Sequence, residues 1–240
     1  MGNRTPHHRL RGAAALILLV VGSYATAADS KYLANHSPDL TVLIAPPPAL
    51  DSTAGRQDIQ QVIALQSTRT ADQLKLADGD TQKSVFRFGD VLGRDFRPDR
   101  LPLTLAFFKQ IAQDDKRPLK QAKDYWKRPR PYNSDSEVHP GIKTEGTTPS
   151  YPSGHATFAY LNAVVLATMV PEKRAEIFAR AETFAEGRVI GGVHYPSDVE
   201  AGKLSGTLIA AAMFQDPKFR EDLAAATVEV RQALSLPPLQ

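Results

Sequence analysis

Residues 152–170 read PSGHATFAYLNAVVLATMV. From Ala156 to Val170 the apolar side chains run almost all round a 3.6-residue turn and leave no polar stripe for water. This stretch is therefore expected to be a helix buried at the centre of a domain. Downstream, Pro171 fits the first turn of a following helix, which Ile177, Ala181 and Phe184 carry toward Arg188. Ser197 and Glu200 have capping-box spacing and predict a helix from there to about Phe214, and Asp216-Pro217 caps and opens a last one containing Phe219, Leu223 and Val228. Upstream, Ile59, Val62, Ile63 and Gln66 keep a spacing of three and four. Val85 to Phe96 suggests one helix closed by Pro98, Leu105 to Ala112 another, and Pro118 opens a short helix that ends near Lys123. No strand-type alternation is sustained and no repeat is present, so the expected fold class is all-α, a single helical bundle over residues 56–240.

The N-terminus has a different character. Arg4, Arg9 and Arg11 precede an apolar run from Ala13 to Val21 and an Ala25-Thr26-Ala27 cleavage pattern. Residues 1–27 are read as a secretory signal peptide, the run being too short to read first as a spanning helix. Residues 28–55 follow as an extended, Pro-rich segment, with Pro46-Pro47-Pro48 imposing polyproline geometry along the domain surface. Three of the 29 Lys and Arg residues and none of the 26 Asp and Glu residues lie in the leader, which leaves 26 of each. The basic isoelectric point thus belongs to the leader, and net charge gives no support to nucleic-acid or anionic-membrane binding. The chain has no cysteine, which excludes thiolate metal sites, cysteine nucleophiles and disulfides. The expected location is periplasmic or secreted, with no membrane span after leader cleavage.

Three short blocks carry the chemistry. Pro152-Ser153-Gly154-His155 precedes the buried helix. A helix start presents unpaired N–H groups to an anion; Ser153 adds a hydroxyl, Gly154 permits close approach, and His155 can protonate a leaving group. Alone, this tetrapeptide is also what a serine-capped helix with an incidental histidine looks like. Lys123 and, seven residues on, Arg130 supply cations, Arg130 from a stiff Arg128-Pro129-Arg130-Pro131 stretch. Lys116, Arg117, Lys120, Lys127 and Arg128 are read as a solvated basic face, although Arg128 too precedes a proline. In the third block, Arg188 adds a cation, His194 follows the Gly191-Gly192 turn, and Asp198 lies four residues beyond. A carboxylate there can accept Nδ1–H and leave Nε2 free as a nucleophile; two metal ligands at helical spacing is the competing reading, with no His/Glu cluster to complete it. Of His36, His139, His155 and His194, the histidines outside the leader, two fall inside the blocks.

Taken together, Lys123-x6-Arg130-Pro131, Pro152-Ser153-Gly154-His155 and Arg188-x5-His194-x3-Asp198 resemble the three-part signature of the PAP2 acid phosphatase and vanadium haloperoxidase superfamily. Within it the chain looks most like the bacterial class A non-specific acid phosphatases. The resemblance implies His194 as the nucleophile that becomes phosphohistidine, Asp198 as its orienting group, and His155 as general acid and then base. It implies Lys123, Arg130, Arg188, Ser153 and Gly154 as phosphate-binding residues. No metal and no cofactor are expected, and vanadate or phosphate should inhibit. Gly187 stands where the family usually has serine before the arginine, which puts a supporting hydroxyl in doubt.

The expected function is hydrolysis of small-molecule phosphate monoesters. A vanadate-dependent haloperoxidase, a soluble lipid-phosphate phosphatase and a non-catalytic phosphate-binding protein are the alternatives that the same residues allow. The physiological substrate, and whether the chain forms a homo-oligomer, stay open at this level.

Overall fold

The computed structural model describes residues 1–2 and 31–239. The leader read over residues 1–27 lies, beyond its first two residues, outside them. The chain forms α1 (Leu40–Leu43), α2 (Thr53–Thr68), α3 (Ala71–Gly79), a 3-10 turn at Val85–Phe88, α4 (Gly89–Leu92), α5 (Pro102–Asp114), α6 (Lys116–Trp126), α7 (Pro131–Ser134), α8 (Gly154–Met169), a second 3-10 turn at Pro171–Lys173, α9 (Arg174–Ile190), α10 (Pro196–Met213) and α11 (Pro217–Ala233). No strand occurs among the described residues, so the domain is all-α.

The apolar stretch becomes α8, and 13 of its 16 residues are buried. It packs against α9 on one side and α10 on the other. The approach of α10 depends on Gly202 and Gly206, one turn apart on the same face. A Cβ at Gly202 would lie 2.6 Å from the Ser153 carbonyl oxygen, and one at Gly206 2.5 Å from that of Thr157. Both positions therefore exclude any side chain, and α10 lies directly on the backbone of α8. Leu161, Val165, Leu166 and Met169 are fully buried in the resulting core; each such side chain contributes roughly 1.5–3 kcal/mol by leaving water.

Around this centre, α5 and α11 pair through Phe107 and Phe219, whose rings lie 5.2 Å apart. The segment before α2 is docked into the same core, with Tyr32, Leu33, Leu40 and Ile44 all buried. It is irregular apart from α1, and its polyproline stretch follows that helix.

Two element boundaries differ from expectation. Val85 to Phe96 is not one helix: it breaks into a 3-10 turn and α4, and Gly93, at φ +104°, ends the latter in a conformation other residues avoid. Ser197 is not the cap of α10. That helix begins at Pro196, and the Asp198 carboxylate accepts the Tyr195 N–H at 3.0 Å. Proline at the first helical position competes with serine as the start signal, and here it wins.

Candidate active site

Four chain ends meet at one place: the end of α6 with the stretch after it, the start of α8, the end of α9, and the start of α10. Lys127 closes α6 with a left-handed backbone, φ 50°. Pro129 and Pro131 then hold the next residues extended, so Arg130 points back into the protein and is only 1% exposed. Ser153 caps α8, its Oγ accepting from Ala156 N at 3.3 Å. Its own N–H donates to the Asp198 carbonyl at 2.9 Å, which ties the start of α8 to the first turn of α10. Arg188 sits in the last turn of α9, fully buried. After the Gly191-Gly192 turn, the N–H of His194 returns to the Arg188 carbonyl at 3.3 Å.

His194 is fully buried and held at both ring nitrogens. Nδ1 lies 3.1 Å from Asp198 Oδ2, and Nε2 lies 3.1 Å from Arg130 Nη1. Since a guanidinium only donates, Nε2 must be the acceptor and Nδ1 must carry the proton. Burial, followed by the charges of Arg130 and Lys123, pushes the pKa of His194 well below the usual histidine value. The ring is thus neutral, with its lone pair on Nε2.

The cations converge as the sequence spacing suggests. Arg130 donates to Thr148 O at 2.8 Å and Val193 O at 3.0 Å, besides His194. Lys123 donates to the Pro149 and Ser150 carbonyls, and burial, then Arg130, push its pKa down to about 7. Arg188 donates to Thr81 Oγ1 at 3.3 Å, while its Nε has no partner among the described residues. Burial brings its pKa down to about 10.

Between these cations lies the Glu145 carboxylate. Oε2 accepts from Arg130 at 2.8 Å, and Oε1 accepts from Arg188 at 3.2 Å and stands 3.3 Å from His155 Nδ1. Its burial opposes ionisation, but Arg130 and Arg188 outweigh that and hold its pKa below the ordinary value. One carboxylate thus touches two of the three expected cations and one of the two histidines, and Arg130 carries the contact on to the other histidine. His155 and His194 are thus joined through Glu145 and Arg130 in one chain of contacts.

His155 is subject to opposing influences. Burial, then Arg188 and Lys83, push its pKa well below the usual value, while the Thr81 carbonyl, 3.1 Å from Nε2, favours the protonated ring. Glu145 at Nδ1 adds a second acceptor, so both nitrogens face groups that a protonated ring would satisfy. A dianion in place of Glu145 would strengthen that preference.

Several residues at this site escaped the sequence reading. Arg128, read as part of a solvated face, is 4% exposed. It donates to Asp198 Oδ1 at 2.7 Å and Asp58 Oδ2 at 2.9 Å, and lies 3.9 Å from the centre of the Tyr195 ring. The proline after it was the available signal; the acids it needed are 70 residues away in either direction. Ser150 also donates to Asp198 Oδ2, and Thr81 reaches both His155 and Arg188. Nothing local in sequence marks Ser150, Thr81 or Glu145. Gly187 has a steric explanation: a Cβ there would lie 3.2 Å from Ala77 Cβ, so its absence lets α3 lie close on α9. Among the described residues no group of three His, Asp or Glu side chains is placed to hold a metal.

Residues 103–222 match the PAP2 superfamily. The acid phosphatase of Zymomonas mobilis is 30% identical over 82% of this chain and 77% of its own length. The non-specific acid phosphatases of Salmonella typhimurium and Salmonella typhi are 30% and 29% identical, each over 91% of both chains. With the converging blocks and the all-α bundle that carries them, this similarity across most of the chain makes the protein a member of the PAP2 superfamily.

Proposed function

We propose that this protein is a secreted acid phosphatase that hydrolyses phosphate monoesters through a phosphohistidine intermediate, without a metal. The observation that carries the reading is the state of His194: buried, protonated on Nδ1 toward Asp198, with Nε2 turned to Arg130 inside a cationic pocket. A non-catalytic phosphate binder has no use for a desolvated imidazole with an oriented lone pair. Its acid phosphatase relatives support the same activity. The N-terminal leader pattern supports export to the periplasm or beyond.

On this reading the substrate phosphate displaces Glu145, and its non-bridging oxygens take the guanidinium N–H groups of Arg130 and Arg188, including the unpartnered Nε of Arg188. Lys123, Ser153 O–H and the Gly154 N–H at the start of α8 complete the grip. His194 Nε2 attacks phosphorus as the ester bond to the alcohol oxygen breaks, and His155 gives that oxygen its proton. Asp198, fixed by Arg128, Ser150 and the Tyr195 N–H, stabilises the charge that develops on the ring. His155, now neutral, takes a proton from water; the hydroxide attacks phosphorus, the N–P bond breaks, and phosphate leaves. The charge stabilisation that phosphoryl transfer requires comes from preorganised cations.

The test is His194→Ala. Turnover of an aryl phosphate should fall at least about a thousandfold, while inorganic phosphate still binds by calorimetry. Acid quench of the wild type during turnover should trap acid-labile phosphate on His194. Activity near wild type in the variant would overturn the assignment.

A further inference from the structure

The link between α3 and the first 3-10 turn is anchored at its start. Asp80 is buried, paired with Arg180 through two contacts of 2.9 and 2.7 Å and with Arg87 at 2.9 Å. From this fixed point Thr81 reaches the site, its carbonyl at His155 Nε2 and its hydroxyl at Arg188. Two residues on, Lys83 is an exposed residue whose ammonium lies beside the start of α8. A Cβ built on Gly154 would lie 3.3 Å from Lys83 Nζ and 3.9 Å from Lys123 Cε. Lys83 makes no hydrogen bond or ion pair with a described residue, yet its surroundings are crowded enough that burial lowers its pKa, with Asp115 opposing.

This ammonium borders a cavity of about 390 Å³ that shares Lys123 with the phosphate pocket. Lys116 and Lys120 also line it, over a floor that includes Leu119 and Phe158. Lys120 is already neutralised by Asp124; Lys83 and Lys116 make no ion pair with a described residue, but Asp115, which also lines the cavity, is close enough to act on both their charges. Four lysines and two aspartates line the cavity, so its charge still favours an anion. The position gives that anion a role. With His194 attacking, the alcohol departs on the far side of phosphorus, where His155 stands, and the link that holds His155 is the one that carries Lys83.

We propose that Lys83 is a specificity-determining residue that favours phosphate monoesters whose alcohol half bears a second anionic group, a further phosphate or a carboxylate, seated between Lys83 and Lys116. The carbon skeleton would lie over Leu119 and Phe158. This rests on the phosphatase reading above and adds the class of substrate to it.

Matched substrates test it: fructose 6-phosphate against fructose 1,6-bisphosphate, and glycerol 3-phosphate against 3-phosphoglycerate, each with wild type, Lys83→Met and Lys83→Arg. Wild type should favour the doubly anionic member of each pair in kcat/KM. Lys83→Met should lose roughly tenfold on that member and several-fold less on its partner, and Lys83→Arg should restore most of the loss. A bisphosphate effect without a carboxylate effect narrows the second anion to phosphate. Equal losses on both members would make Lys83 a holder of the transferred group and overturn the proposal, as would no loss on either. Calorimetric binding of each pair to His194→Ala, with and without Lys83→Met, reads the same discrimination without turnover. A failure of the phosphatase reading would appear as absent hydrolysis by wild type, and the binding ratios would still decide the role of Lys83.

Discussion

Lys123 links the pocket to pH. With its pKa pushed down to about 7 by burial and then by Arg130, it is an ammonium below that value and neutral above it. The cation count of the unliganded site therefore drops as pH rises through about 7, which favours anion binding on the acidic side. Inhibition by inorganic phosphate, followed from pH 5 to 9 in wild type and Lys123→Arg, isolates this effect from the titration of phosphate itself. The arginine stays charged throughout, so the ratio of the two inhibition constants should grow by up to roughly tenfold between pH 6 and 8. Parallel profiles would remove Lys123 as the source. At this scale the neighbourhood was legible: His155, Arg130 and Arg188 meet at Glu145, Arg130 and Asp198 hold His194, and the charge of Lys123 acts on His194. Arg128 was not, because a buried arginine and a solvated one look alike until the partner acids are known.

The element that governs access is the connection between α7 and α8, which carries Glu145. Its carboxylate accepts from both arginines where substrate oxygens would enter, and so competes with them from within the chain. Glu145→Gln keeps the shape and removes the charge. Phosphate affinity, measured by calorimetry near neutral pH, should rise roughly tenfold, since one charge-assisted grip no longer has to be exchanged for another. Because the arginines hold the Glu145 pKa below its ordinary value, the advantage should shrink only once pH falls through that lowered pKa. Weaker phosphate binding in the variant would instead mean that Glu145 serves to align Arg130 and Arg188. The long core helices were readable from apolar spacing, the short or polar α1, α3 and α7 were not, and neither was the connection: irregular backbone has no period, and its path is set by contacts such as Tyr132 Oη to the Gly146 carbonyl at 3.0 Å.

For the whole molecule, the pocket is a junction. Its walls come from the link after α3, from α6, α8, α9 and the first turn of α10, so an anion bound there adds to the few hydrogen bonds, such as Ser153 N–H to the Asp198 carbonyl, that already join these elements. Vanadate or phosphate at about a hundred times its dissociation constant should stabilise the fold by roughly 2.7 kcal/mol. This should appear as a raised Tm, and it should survive EDTA together with the activity. Loss of either on chelation would bring a metal into the account. The sequence by itself determined the helical class, the buried core helix and the candidate histidines and cations of the three blocks, because apolar period and short motifs are local patterns. Only the tertiary structure decided that Arg128 serves Asp198, that Glu145 occupies the pocket and that Lys83 overlooks it. Each depends on which charges meet across tens of residues in a dry interior, and that is settled by helix packing.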